Sequence, residues 1–295
     1  SYQGMNMISG TTEIVVIVGE PIRQVKSPQN FNHWFESRSQ DTAMIAMDLA
    51  SERVEAFASF ARGWRNLRGL VVTVPHKQAF TKLCDALTPR AKALGATNVV
   101  RRDADGTLTG DMVDGFGFLG AARAHGFSSS GRRALVIGAG GVGSAIAFAL
   151  CETGISQLRL MDVNVDRLKA LSTMLQVHFP NVEIMSNCDS LATLDLVVNA
   201  TPTGMATTSN GTNAADLPLL RSLLDTLPAS ALVADVVTSP DITPLLATAK
   251  AKGCRIQKGA EMAKAQLEFL GGFMGVMPAV DPEALFQASA SLPTS

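Results

Sequence analysis

Metal-ligand spacing is missing from this chain. Its 295 residues include four histidines and four cysteines. No histidine stands at zinc-pair distance from another His or Cys, and Cys84, Cys151, Cys188 and Cys254 form no C-x-x-C motif. The expectation is no metal, reduced buried thiols and a cytoplasmic location. Strong charge of one sign is missing as well. A net charge of −1 leaves no electrostatic footprint for nucleic acid or an anionic membrane surface. No apolar run reaches the roughly 18 residues of a membrane span. Repeats and low-complexity tracts are absent. The opening Ser1-Tyr2-Gln3-Gly4 has no basic-then-apolar signal signature and reads as an expression leftover ahead of Met5.

What is present is the composition of a globular enzyme, 46% apolar and 17% charged. The length suggests about two domains. One stretch organises the rest. The apolar run Ala134-Leu135-Val136-Ile137 reads as a buried strand, and Gly138-Ala139-Gly140-Gly141-Val142-Gly143 follows it. An Ala-rich helix opens at once with Ser144-Ala145-Ile146-Ala147. One glycine makes the tight turn, the next lets backbone approach a pyrophosphate, and the third lets helix pack on strand. Free N–H groups at the helix start then face the phosphates. A second apolar run, Leu158 to Met161, ends in Asp162, where a carboxylate can accept bonds from the adenosine ribose hydroxyls. A tight strand-to-helix turn with no nucleotide is the plainer reading of the same glycines; the flanking strand and helix favour a dinucleotide.

Around this stretch the chain alternates strand and helix. Strands are expected at 13–18, 42–47 and 70–74, then at 97–101 and 107–110 around the turn Asp103-Ala104-Asp105-Gly106. Ser27, with Pro28 behind it, is expected to cap a helix; further helices are expected at 51–64 and 78–87. Asp114 to Gly117 could start a helix that crosses to the next domain. Beyond it, strands are expected at 134–138, 157–161, 182–186, 195–200, 231–237 and 254–257. Helices are expected at 142–153, 165–177, 218–226, 243–252 and 260–274. This order implies an α/β fold with two domains. Residues 1–115, completed by 259–295, form an N-terminal α/β domain, and 116–258 form a Rossmann-like, doubly wound dinucleotide domain.

A dinucleotide site implies hydride transfer, and oxidising an alcohol needs a base within hydrogen-bond reach of its oxygen. Lys77, after the strand end Thr73-Val74-Pro75-His76, and Asp114, at the domain crossing, are the best candidates. Desolvation in a cleft would lower the lysine pKa, while a neighbouring carboxylate would raise it. A lysine there is as readily a solvated surface group. His76 is a base candidate or simply a hydrogen-bonded histidine.

Several patches resemble the shikimate/quinate dehydrogenase family across nearly the whole chain. They are Gly19-Glu20-Pro21…Lys26-Ser27-Pro28…Asn32, Gly69…Val72-Thr73-Val74-Pro75-His76-Lys77, Gly95-Ala96-Thr97-Asn98 and Gly110-Asp111-Met112-Val113-Asp114-Gly115. Later come Asn199-Ala200-Thr201-Pro202-Thr203-Gly204-Met205 and Gly259…Ala265-Gln266. The resemblance implies an enzyme moving a hydride between a nicotinamide and a ring hydroxyl of a shikimate- or quinate-like acid. By it, Lys77 and Asp114 are the catalytic pair, and Ser27, Thr73, Asn98 and Gln266 hold the substrate. Asn199, Thr201, Val236 and Gly259 join the glycine loop, Asp162 and Arg167 at the cofactor. A monomer or homodimer is expected.

The departures matter. Val25 stands where the family's first loop has a serine, Val71 where it has Asn, Val113 where it has Thr and Thr238 where it often has Tyr. His76 replaces a common Phe, and whether Arg23, Lys26 or His76 contacts substrate stays open. Missing polar contacts imply a changed substrate. Two alternatives follow: a paralogue acting on a different ring acid, or a non-catalytic NAD-binding regulator. Retention of both Lys77 and Asp114 speaks against the regulator. Asp162, where NADP-preferring members carry Asn-Arg-Thr, accepts ribose hydroxyls and repels a phosphate. Asp162 with Arg167 resembles the NAD-using branch, so the expected cofactor is NAD rather than NADP.

Overall fold

The computed structural model describes residues 8–202, 222 and 224–290. Ser1-Tyr2-Gln3-Gly4, Thr203-Gly204-Met205 and most of the helix expected at 218–226 lie outside the described residues. The fold is α/β, and the chain divides into two compact units, Ser1–Val113 with Leu267–Val280 and Asp114–Gln266 with Asp281–Ser295.

The first unit holds β1 (Glu13–Gly19), α1 (Ser27–Ser37), β2 (Thr42–Asp48), α2 (Val54–Gly63) and β3 (Leu67–Val72). It continues with α3 (Lys77–Leu83), β4 (Ala86–Leu87), α4 (Pro89–Leu94), β5 (Val99–Arg102) and β6 (Leu108–Asp111). The six strands lie in the order β2-β1-β3-β5-β6-β4. β1 runs parallel to β2 and β3, while β5 runs antiparallel to β3 and β6. Val16, Val18, Leu70 and Val72 turn one sheet face onto Val54, Phe57 and Ala61 of α2 and Phe80 of α3. The helix expected at 78–87 stops at Leu83, because the chain turns extended at Cys84 and Ala86–Leu87 pair with β6 as β4; Thr88 and Pro89 then start a separate helix. The Thr88 hydroxyl accepts the Ala91 N–H at 3.4 Å. The expected Ser27 cap is displaced by one residue: Lys26 is the N-cap, and Ser27 is the first residue of α1.

The second unit opens with α5 (Asp114–Ala124), β7 (Arg133–Ile137), α6 (Gly141–Glu152), β8 (Gln157–Met161) and α7 (Val165–His178). β9 (Glu183–Met185), β10 (Leu196–Asn199), β11 (Leu232–Asp235), α8 (Pro244–Ala251), β12 (Arg255–Gln257) and α9 (Gly259–Phe273) follow. All neighbouring strands pair in parallel, in the order β12-β11-β10-β7-β8-β9. This is the doubly wound order, with its switch point between β7 and β10. Strands covered on both faces read as continuous apolar runs, and β10 and β11 are buried at every position. A helix not expected from the sequence, α10 (Pro282–Ala290), brings Phe286 to 5.9 Å from Phe116 of α5.

The tail divides between the units where 259–295 was expected to belong to one. The first part of α9 packs on α5: a Cβ on Gly117 would fall 2.1 Å from Gln266, and His125 meets Glu261 at 2.7 Å. Past Gln266 the partners change. Met274 covers Gly69 of β3, and the Arg68 guanidinium donates to the Gly275 carbonyl. No helix among the described residues is long and apolar enough to cross a membrane.

Candidate active site

The glycine stretch forms a cradle at the carboxyl end of β7. Gly138 turns the chain at φ +110°, a conformation that side chains rarely adopt. Gly143 sits so tightly on that turn that a Cβ would meet the Gly138 carbonyl oxygen at 1.9 Å. Between them the backbone is open: a Cβ on Gly141 would meet nothing within 4 Å. α6 starts there with Gly140 as N-cap and no side-chain cap, so its first-turn N–H groups face outward with the positive end of the helix dipole. The cradle fits a pyrophosphate. Ala139 and Val142 complete the loop, and a pocket of about 210 Å³ opens beside it, lined by Met161, Asp162, Leu168, Ser186, Cys188 and Thr201.

Asp162 stands at the end of β8 with its side chain 2% exposed. Its carboxylate accepts the Ala139 N–H at 2.7 Å and the Asn164 N–H at 2.7 Å. Arg167, in the first turn of α7, grips both oxygens, Nη2 lying 3.0 Å from Oδ1 and 2.9 Å from Oδ2. Burial pushes the Asp162 pKa up, but the guanidinium and the two N–H groups more than offset it, and the net shift is downward. The charge expected to repel a phosphate is therefore matched by a cation whose side chain is 49% exposed.

The other expected cofactor residues lie along β10, β11 and the start of α9. Asn199 is 2% exposed, and its Oδ1 accepts both the N–H and the hydroxyl of Thr201. A Cβ on Gly259 would lie 2.4 Å from the Val237 carbonyl oxygen and 2.6 Å from that of Val236, so this glycine serves a close backbone approach. Val236 itself is half-buried. Asp235, which the sequence reading passed over, binds Asn199 at 3.2 Å.

In the first unit the expected substrate residues Ser27, Thr73 and Asn98 stand at the start of α1, just after β3 and just before β5. Thr73 follows β3, and its N–H donates to the Val18 carbonyl. The hydroxyls of Thr73 and Ser27 make no hydrogen bond among the described residues, and both groups are half-buried. Asn98 is 3% exposed and accepts the Val113 N–H at 2.9 Å. Lys77 opens α3, and its carbonyl receives the Thr97 N–H and the Thr81 hydroxyl. His76 is 1% exposed, and its Nε2 lies 2.8 Å from the Leu49 carbonyl. A carbonyl only accepts, so Nε2 carries the proton and the ring ties two loops together. Val25 is half-buried, whereas Arg23, Lys26 and Thr238 are exposed. In the second unit, Asp114 is the first residue of α5 and 5% exposed. Gly115 behind it lets α5 approach α6, a Cβ there meeting the Ala145 carbonyl at 2.4 Å. Gln266 lies half-buried against Gly117.

Comparison with known proteins gives this arrangement a family. Residues 17–100 match the shikimate dehydrogenase substrate binding domain, and residues 121–220 match shikimate / quinate 5-dehydrogenase. The shikimate dehydrogenase (NADP(+)) of Oleidesulfovibrio alaskensis is 38% identical over 253 residues, 85% of each chain. The chain belongs to the shikimate/quinate dehydrogenase family. It is an oxidoreductase acting on a cyclic hydroxy acid. The shikimate dehydrogenase (NADP(+)) of Rhodospirillum rubrum is 35% identical over 282 residues, 93% of this chain and 96% of that one. Among solved structures, the shikimate 5-dehydrogenase of Listeria monocytogenes, in complex with shikimate and NAD, superposes with a TM-score of 0.83. It is 26% identical and covers 93% of this chain and 96% of its own.

The expected preference for NAD is corrected by these relatives. Family members 33–38% identical to this chain are named for NADP(+). The structure supplies the physical reason. The expectation gave the Asp162 oxygens to ribose hydroxyls, with Arg167 alongside, but those oxygens are already held by two backbone N–H groups and by Arg167 itself.

Proposed function

We propose that this chain is an NADP-dependent shikimate dehydrogenase. Support for the cofactor comes from the naming of its relatives and from the half-exposed Arg167 guanidinium beside the adenosine pocket, a donor fork suited to a 2′-phosphate. Support for the substrate comes from the Ser27 and Thr73 hydroxyls, which make no hydrogen bond among the described residues, and from Asn98 and Lys77 in the same unit. The first unit binds the ring acid and the second binds the dinucleotide. The bound dinucleotide supplies a nicotinamide that exchanges a hydride with the ring carbon. Lys77 takes the hydroxyl proton, and Asp114 orients the amine. In the reverse direction the same pair returns the proton to the forming alkoxide. Ser27, Thr73, Asn98 and Gln266 orient the ring and its carboxylate.

The deciding experiment is turnover of shikimate by the purified protein with NADP and with NAD, followed as reduced nicotinamide. Efficient NADP reduction is expected. A higher kcat/KM with NAD would remove the cofactor assignment, and no turnover of shikimate would remove the substrate. A second reading, favoured by half-buried Val25 two positions from Ser27, whose hydroxyl makes no hydrogen bond among the described residues, is a ring acid other than shikimate. Quinate and less hydroxylated ring acids tested in the same assay separate the two.

A further inference from the structure

The end of β11 carries a carboxylate that none of the expected chemistry uses. Asp235 is 1% exposed. Its Oδ1 accepts the Val237 N–H at 3.0 Å and the Asn199 Nδ2–H at 3.2 Å, and its Oδ2 accepts the Thr243 hydroxyl at 2.7 Å. Each partner controls a different segment. Asn199 carries Thr201 through its own Oδ1. Thr243 is the N-cap of α8 and accepts the Leu246 N–H. Val237 belongs to the backbone against which Gly259 packs. One side chain therefore joins the ends of β10 and β11 to the starts of α8 and α9.

Such a joint is costly. Burial pushes the Asp235 pKa up, because an ion in this place gives up its hydration. An apolar residue at a strand end would fill the core without that cost. A buried carboxylate does what an apolar side chain cannot: it fixes the direction of three donors at once. The place also matters. In doubly wound sheets, ligands lie over the carboxyl ends of the strands at the switch point. Asp162 and the adenosine pocket stand at β8, three strands from β11, about 14 Å at the usual strand spacing. A dinucleotide with its adenosine at β8 and its pyrophosphate on the glycine loop extends toward β10 and β11.

We propose that Asp235 is a positioning residue for the nicotinamide half of the dinucleotide, holding Asn199 and the Val236–Val237 backbone in register through its three hydrogen bonds. The proposal rests on the reading of the glycine cradle as the dinucleotide site. Asp235→Asn keeps shape and volume but loses the charge and replaces one acceptor by a donor. Thr243→Val removes one of the three donors and leaves the carboxylate.

The test is titration of the full chain and both variants with NADPH and with adenosine 2′,5′-bisphosphate, which represents the adenosine half alone. The parent is expected to bind both. Asp235→Asn is expected to weaken NADPH by about tenfold, equivalent to about 1.4 kcal/mol, and to leave the bisphosphate within about twofold. Thr243→Val is expected to shift the same way by less. Equal weakening of both ligands, or of neither, in both variants overturns the proposal, the first outcome marking a general loss of structure. A parent that binds neither ligand overturns the cradle reading itself, and so is distinct from a failure of Asp235. If Asp235→Asn does not fold, Thr243→Val alone decides on the same two ligands.

Discussion

Arg167 closes a two-pronged ion pair on Asp162, with Nε 3.2 Å and Nη2 2.9 Å from the same carboxylate oxygen. The pair spans only five positions, and it balances the negative charge at the end of β8. An acidic residue that alone would exclude a phosphate becomes the anchor of a cation. Arg167→Ala is accordingly expected to raise the KM for NADP by about tenfold or more, since charge-assisted forks to phosphate are among the stronger hydrogen bonds. The KM for NAD is expected to change much less. Steady-state kinetics with the two cofactors check this, and an unchanged NADP KM removes Arg167 from the cofactor site.

The same pair sets an acid limb. The folded protein keeps Asp162 ionised to lower pH than the unfolded chain does, whose aspartate titrates near 3.8. The stabilisation is complete above that value and is lost as the pH falls through the depressed folded pKa. Thermal melts of Asp162→Asn and the parent should differ near neutral pH and converge in acid below 3.8. A gap that widens in acid contradicts this sign.

Lys77→Ala is expected to lower turnover by about 10²–10⁴, the usual worth of a positioned acid–base group. NADPH affinity, measured by titration, should stay unchanged because the cradle lies in the second unit. Turnover unaffected by the substitution removes Lys77 from the mechanism while leaving the fold assignment standing.

Asn98 illustrates a residue with a structural duty beside its proposed one. Its Oδ1 is the acceptor for the Val113 N–H, and both residues are almost fully buried. Asn98→Ala leaves that N–H without the partner, at a cost of about 1–3 kcal/mol. Urea unfolding measures it, and a midpoint equal to that of the parent contradicts the assignment.

Two glycines in one loop should respond differently. Gly143→Ala would force a Cβ to within 1.9 Å of the Gly138 oxygen, so loss of dinucleotide binding and a large fall in Tm are expected. Gly141→Ala meets open space and should fold normally. Equal melting temperatures for the two variants contradict the close packing of Gly143 on the turn.

Much of this molecule is legible from local pattern. The run from Ala134 to Gly143 carries its own strand, turn and helix start, because a tight turn and a close helix approach admit no side chain at Gly138 and Gly143. Thr88-Pro89 is an equally local helix signal; it stands just past the end of the helix expected at 78–87, and the α4 that it starts was not among the expected elements. The His76 ring could be read either as a base or as a bonded side chain, and only its approach to Leu49, 27 positions away, gives it a partner.

Residue order alone determined the strand–helix alternation, the glycine cradle and the family, since each depends on neighbours a few positions apart. Tertiary structure decided which charges meet. Asp162 accepts from Ala139 of the glycine loop, 23 positions away, and Asp235 from Asn199, 36 positions away. Coulomb and hydrogen-bond energies depend on distances of a few ångströms, and packing rather than sequence spacing sets those distances.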